Sequence, residues 1–330
     1  MRQSRIVGTG SYLPTRVVSN HEVVSPLGLE PEKVYRLTGI RTRRWVDEHQ
    51  SASDLAAAAG ERALEAAGIA KASVDAVLVS TTSPDAVFPS TACHVQRVLG
   101  LKHIVAFDVA ASCSGFLYGL SMADARIRSG QAQTCLVIAA EVKSRFLDRQ
   151  DPATAILFGD GAGAAVLVGE VARSQPAGGI LGIRLYAEGA GAHLIEMPAG
   201  GSRRPTSAAT VGAGEHVIRM QGGPLFRLAI RRLERAVQDL LKEFGVTMQE
   251  IAQVILHQAN ARILHQLRER LDIPTGRMST VIERFGNTSS ASLPIALDYA
   301  VREGRVSPGD LVLLGAFGGG LTWATGLLRW

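Results

Sequence analysis

Val109-Ala110-Ala111-Ser112-Cys113-Ser114-Gly115-Phe116 joins two periodicities. Upstream, His103 to Val109 is a short apolar run of the kind that forms a buried strand. Downstream, Leu117, Leu120, Met122, Ala123 and Ile127 recur at roughly helical spacing until Gly130. Cys113 therefore falls at or near a helix N-terminus, where unpaired backbone N–H groups and the helix dipole favour thiolate over thiol and lower its pKa from about 8.5. A free cysteine also packs well as a small hydrophobe, and this stretch alone leaves nucleophile and core residue both open.

Working outward, the same junction recurs. In the first part of the chain a strand from Arg5 to Gly8 and a turn from Gly10 to Pro14 lead to an Ala-rich helix from Ser53 to Gly68. There follow a strand from Val74 to Ser80, a helix from Thr91 to Leu99, the strand before Cys113, the cysteine helix, and a strand from Thr134 to Ala140. A Gly/Pro-rich region from Gly169 to Gly222, interrupted by a strand at Ile180 to Leu185, separates this list from its repetition. A long amphipathic helix from Pro224 to Phe244 comes next, followed by a strand at Val254 to Leu256 and a helix from Arg262 to Leu271. A strand at Ser279 to Ile282, a helix from Ser289 to Arg302 and a strand from Leu311 to Gly315 complete it.

The offset stays near about 175 residues, from Val77 to Val254, Cys113 to Asn287 and Leu136 to Leu311. So long a period indicates a duplicated α/β half, here residues 1–172 and 173–330, with mainly parallel sheets covered by helices. Ligands on such sheets sit beyond the strand C-termini, and those ends carry Cys113, His257, Asn287 and Gly318 to Gly320.

Composition removes several function classes. The 330 residues are 46% hydrophobic and 20% charged, ordinary for a globular protein, with no stretch approaching a membrane span and no signal-peptide pattern, so the expectation is a cytoplasmic protein. Three cysteines, Cys93, Cys113 and Cys135, give neither a disulfide framework nor a zinc site, and Cys93 and Cys135 are expected in the core. The net charge of +5 is not accompanied by the aromatics that nucleic-acid binding uses, since these make up 5% of the chain. An acidic protein partner or a phosphorylated substrate accounts for it equally well.

His257 stands at a strand end in Leu256-His257-Gln258-Ala259-Asn260-Ala261-Arg262, and Asn287 occupies in the second half the place of Cys113 in the first. Cys, His and Asn converging suggest an acyl-thioester intermediate; a papain-like hydrolase uses the same residue types but not a duplicated α/β pattern. Gly318-Gly319-Gly320 lets a backbone N–H approach a reacting oxygen or simply makes a tight turn. Phe158-Gly159-Asp160-Gly161-Ala162-Gly163 lacks nucleotide-loop spacing and is read as close backbone packing.

Taken in order, Ala111 to Phe116, Phe158 to Gly163, His257 to Ile263, Gly286 to Ser292 and Phe317 to Gly320 resemble the β-ketoacyl-ACP synthase III family, as do Thr38 to Arg43 and Phe88-Pro89-Ser90. The resemblance spans nearly the whole chain. It implies a homodimeric thiolase fold that uses no cofactor or metal. Cys113 would accept an acyl group from a thioester such as acyl-CoA, and His257 and Asn287 would hold the malonyl-ACP carbonyl during decarboxylation. The N–H groups of Cys113 and Gly319 would form the oxyanion hole, Phe88 would border the acyl pocket from the partner subunit, and Gly222, Phe226 and Asn260 would lie along the pantetheine channel. The acyl carrier protein would dock on the helix bearing Arg227, Arg231, Arg232 and Arg235, and near Arg262.

The chain departs from the housekeeping members where they grip CoA with a Trp and two Arg. Lys33, Leu37 and Pro152 stand there instead, with Arg36 nearby. Contacts of that kind are typically worth about 1 to 2 kcal/mol each, which leaves CoA and a carrier protein both open as donors. A specialised acyltransferase or starter-unit synthase with the same three residues, and an idle carrier-binding subunit, are the alternatives.

Overall fold

The computed structural model describes residues 2–171 and 178–330, so the expected boundary between residues 172 and 173 lies outside the described residues. Strands β1 (Arg2–Tyr12), β2 (Ala76–Ser80), β3 (Val105–Val109), β4 (Thr134–Glu141) and β5 (Gly161–Val171) form one sheet in the order β1-β5-β4-β2-β3. Strands β6 (Gly179–Ala187), β7 (Ile251–Leu256), β8 (Met278–Ser279), β9 (Leu311–Gly318) and β10 (Thr322–Arg329) form the other in the order β6-β10-β9-β7-β8. The two orders are the same pattern repeated. In each sheet three strands run parallel, β2, β3 and β4 in the first and β7, β8 and β9 in the second, and the remaining pairings are antiparallel.

The helices that pack on these sheets are α1 (Ala52–Ala67), α2 (Thr91–Val98), α3 (Gly115–Arg128), α4 (Gly222–Phe244), α5 (Ala261–Arg270) and α6 (Ser292–Arg302). Helices α3 and α6 lie between the sheets, where Phe116, Leu120, Leu293 and Leu297 pack with Leu78 and Val137 of one sheet and Ile255 and Leu314 of the other. Helices α1 and α2 cover the outside of the first sheet, and α4 and α5 that of the second. The near-continuous apolar strands follow from this layering, since each sheet is buried on both faces. This is the α/β thiolase arrangement.

The loop at Gly159 to Gly163 serves packing. A Cβ at Gly163 would lie 2.8 Å from the Ile295 nitrogen, so only a glycine lets α6 rest directly on β5. The same small residues concealed β5 in the sequence, because Gly and Ala carry little strand propensity. Four other expectations are corrected. Strand β1 is longer than expected and β10 follows the triple glycine. The strand expected at Ser279 to Ile282 ends at Ser279, where the chain turns so that Val281 N–H donates to Gln258 Oε1 at 3.0 Å and a short helix takes over at Ile282. Cys93 is exposed, not core, because α2 buries the face carrying Thr91, Ala92 and Val95 and turns Cys93 away from it. Cys135 is fully buried in β4.

Candidate active site

Cys113 sits in a single 3₁₀ turn, Ser112–Ser114, that hands β3 over to α3. The turn is reached through Ser112 at φ +45°, a left-handed conformation that side chains seldom adopt. Its counterpart in the second half is the turn Ser289–Ala291 before α6, entered through Ser289 at φ +52°. The elements thus pair Ser112 with Ser289 and Cys113 with Ser290, and Asn287 stands just ahead of the elbow instead of on the position of Cys113. Gly318, at the end of β9, closes on the nucleophile so tightly that a Cβ there would lie 2.5 Å from the Cys113 nitrogen.

The thiol is buried, and burial pushes its pKa up to about 11; a hydrogen bond with Ser289 and the nearby Lys143 oppose this only partly. Against the expectation of a thiolate stabilised by the helix end, burial is the largest influence on this thiol and acts in the opposite direction. Alkylation of Cys113 by iodoacetamide is expected to accelerate roughly tenfold per pH unit from pH 7 to 10. A plateau below pH 9 would show the helix end winning instead.

His257 follows β7 and is buried, which depresses its pKa to about 4 and keeps the imidazole neutral. Its Nδ1 lies 2.6 Å from the Ser292 hydroxyl oxygen, which also accepts from Gln258 N–H at 3.0 Å. Among the described residues the Ser292 hydroxyl hydrogen has no other acceptor, so it goes to Nδ1, and Nε2 carries the ring proton. Asn287 is fixed the same way. Ser289 N–H donates to its Oδ1 at 2.8 Å, leaving the amide NH₂ as a donor. Two neutral hydrogen-bond donors are thus preset by the start of α6.

A cavity of about 150 Å³ brings Cys113, His257, Asn287 and Gly319 together with Gly222, Phe226 and Asn260, and apart from these polar groups its walls are largely apolar. No turn or loop carbonyl among the described residues accepts from the N–H of Cys113 or Gly319. Asn260 caps α5, accepting from Arg262 N–H at 2.8 Å, while its amide donates to the Leu37 carbonyl at 3.1 Å, so Leu37 lies beside this residue of the channel. Phe88 is not in the cavity; it stands 87% exposed beside Val87, 93% exposed. Lys33, Arg36 and Pro152 are exposed.

Arg227, Arg231 and Arg235 are exposed along α4, and Arg262 lies over the Phe226 ring at the cavity wall. Arg235 pairs with Asp239 at 2.9 Å, and Arg232 is drawn off the open face to Glu188 at 2.6 Å.

Sequence reasoning missed the layer behind the thiol. Cys113 Sγ lies 3.5 Å from Ser289 Oγ, which donates to Glu141 Oε1 at 3.1 Å. Glu141, fully buried at the end of β4, also accepts from the Ser290 and Ser83 hydroxyls and pairs with Lys143 at 3.1 Å. These partners hold its carboxyl below the usual range despite burial. A signal was available: an acid and a base two residues apart directly after an apolar strand. No group of three or more His, Cys, Asp or Glu among the described residues is placed to hold a metal ion.

Comparison with known proteins agrees with this geometry. Residues 107–189 match the family model for 3-oxoacyl-[acyl-carrier-protein] synthase III, and residues 241–330 that for its C-terminal region. A β-ketoacyl-[acyl-carrier-protein] synthase III of Caldanaerobacter subterraneus is 43% identical over 325 residues, covering 98% of this chain and 97% of the relative. Among solved structures, the 3-oxoacyl-[acyl-carrier-protein] synthase III of Aquifex aeolicus superimposes with a TM-score of 0.90 at 41% identity, covering 99% of this chain and all of that one. A priming β-ketosynthase of a polyketide biosynthetic pathway gives 0.91 at 35% identity, with 99% and 96% covered. Identity of 43% and 41% to such relatives over nearly the whole of both chains, on the same duplicated α/β frame, makes the chain a member of the β-ketoacyl-ACP synthase III family, a condensing enzyme of the acyltransferase class.

Proposed function

We propose that Cys113 carries the acyl primer and that His257 and Asn287 drive decarboxylation of malonyl-ACP beside it. The observation that carries this is the pair of neutral donors, Nε2–H and the Asn287 amide, preset in a buried cavity shared with the thiol. In the first half-reaction Sγ attacks the donor thioester carbonyl, its proton leaves with the donor thiol, and the N–H groups of Cys113 and Gly319 receive the oxyanion. In the second, the malonyl carboxylate departs as CO₂ and its bonding pair passes to the thioester oxygen, forming an enolate held by His257 and Asn287. Donors preorganised in a dry site do this without reorganisation. The enolate carbon attacks the acyl-Cys113 carbonyl and expels the thiolate, which takes up a proton from solvent. The product is a β-ketoacyl thioester on the carrier.

Gly222, Phe226 and Asn260 would line the pantetheine arm, and the reaction as written needs neither metal nor cofactor. The halves 1–172 and 173–330 would each contribute one elbow. We also infer a cytoplasmic homodimer, since Val87 and Phe88 form an apolar projection suited to reaching a partner's acyl pocket. Among the described residues no helix is long and apolar enough to cross a membrane.

The acidic carrier protein would meet Arg227, Arg231, Arg235 and Arg262. Reversing Arg231 and Arg235 to Glu is expected to raise KM for the carrier substrate about tenfold or more with little change in kcat, and rising salt to do the same in the wild type. Salt-independent kinetics unaltered by the reversal would remove this docking face.

Lys33, Leu37 and Pro152 favour a second reading of the donor: a starter unit delivered by a carrier protein. Incubating the protein with acetyl-CoA, longer acyl-CoAs and acyl-ACPs, followed by intact mass measurement, tests both. A Cys113 adduct is expected, and its preferred donor decides between CoA and carrier. No adduct from any thioester would favour an idle subunit.

A further inference from the structure

A second cavity, of about 130 Å³, opens beside the first; they share Cys113, Phe158, Ile195 and Gly319. If Cys113 carries the primer, the reading on which this inference rests, the acyl group on Sγ extends into this cavity once the pantetheine arm fills the channel. Its volume suits an acyl chain of roughly four to six heavy atoms beyond the thioester carbonyl, since a cavity of about 150 Å³ holds benzene. Its walls include Phe146, Met197 and Ile218, as a hydrocarbon chain would require, but also Thr82 and Lys143.

Lys143 is unusual there. Its residue is only 6% exposed, its ammonium pairs with Glu141 at 3.1 Å and donates to the Thr82 hydroxyl, and among the described residues its third N–H has no partner. A hydrocarbon packed against this group would strip water from a charged donor and return nothing. An oxygen acceptor in the chain would replace that water. Glu141 already balances the positive charge, and Glu196 adds a carboxylate at the cavity wall, so a neutral oxygen fits better than an anionic one.

We propose that Lys143 and Thr82 make this cavity selective for a short acyl group bearing a neutral oxygen, an oxo- or hydroxyacyl thioester, over the plain alkyl chain of equal length.

The test compares pentanoyl-, 4-oxopentanoyl- and succinyl-pantetheine, which carry the arm common to CoA and carrier protein, by the rate of Cys113 acylation in intact mass spectra. The 4-oxopentanoyl group is expected to react at least about tenfold faster than pentanoyl, the gain of one hydrogen bond to a charged donor, and faster than succinyl. Lys143→Met is expected to bring the oxo-to-alkyl ratio close to one. Because that change leaves Glu141 buried and unpaired, the double variant Glu141→Gln/Lys143→Met removes both charges and is expected to give the same collapse. A wild-type ratio at or below one, or a ratio unchanged in whichever variant folds, would overturn the selectivity while leaving acyl-Cys113 intact. Fastest reaction with succinyl would overturn the neutral-acceptor assignment. Absence of any adduct would sink the acyl-Cys113 reading itself.

Discussion

Cys113→Ala is expected to abolish the acyl adduct with every thioester and to lower condensation by on the order of 10⁴ or more, since the variant has no atom on which to hold the primer. The protein should remain folded. Removing one sulfur from a well-packed site costs roughly 1 kcal/mol, and the Glu141–Lys143 pair behind it keeps its partners in Ser83, Ser290 and Thr82. Decarboxylation of malonyl-ACP without condensation should survive, because the two donors facing the cavity do not depend on the thiol. Intact mass and product analysis on one sample separate these outcomes. An adduct that persists in Cys113→Ala would place the acyl group elsewhere, with Ser289 or Ser112 the first positions to examine.

His257→Ala and Asn287→Ala are each expected to reduce condensation by about 10² to 10³ while changing acylation of Cys113 less than about tenfold. On the proposed mechanism the split follows from which oxygen each donor would hold: the enolate would form against Nε2–H and the Asn287 amide, whereas the oxyanion of acyl transfer would fall to backbone N–H groups. The double variant should be little worse than either single, since two donors on one oxygen act as a unit. Single-turnover acylation and steady-state condensation, measured side by side, check this. If both variants condensed malonyl-ACP at the native rate, or lost acylation to the same degree as condensation, the division of labour would be wrong.

The frame was legible because burial on both faces writes each central strand as an apolar run, and duplication writes that pattern twice. The strands that were missed, β5 and β10, are those whose sequence answers to other demands: glycines that let α6 approach, and a strand entered from a triple glycine. Cys113 and His257 follow strand ends as expected, whereas Asn287 comes after β8 and a further short helix, so its expected equivalence to Cys113 in the repeat did not hold. What the chain did not disclose was the balance of terms at the thiol. A helix start is visible in sequence, whereas the burial that raises the pKa of the thiol needs distant segments, among them Gly318 and Phe158, to meet around it. Ser292 was likewise quoted as part of a motif, yet its task of holding the His257 ring proton on Nε2 needs the fold that sets it 2.6 Å from Nδ1.

The close approach of Gly318 to the Cys113 backbone also limits how such an enzyme can change. On that flank the reacting centre is bounded by main chain against main chain, with a Cβ at Gly318 only 2.5 Å from the Cys113 nitrogen, so no enlargement of a side chain there can reshape the substrate. On the reading proposed above, new primers are accommodated in the second cavity, where Lys143, Phe146, Met197 and Ile218 offer side chains that can vary. A library confined to Phe146, Met197 and Ile218, which keeps the Glu141–Lys143 pair and the serines bound to it, is expected to move chain preference while condensation is retained.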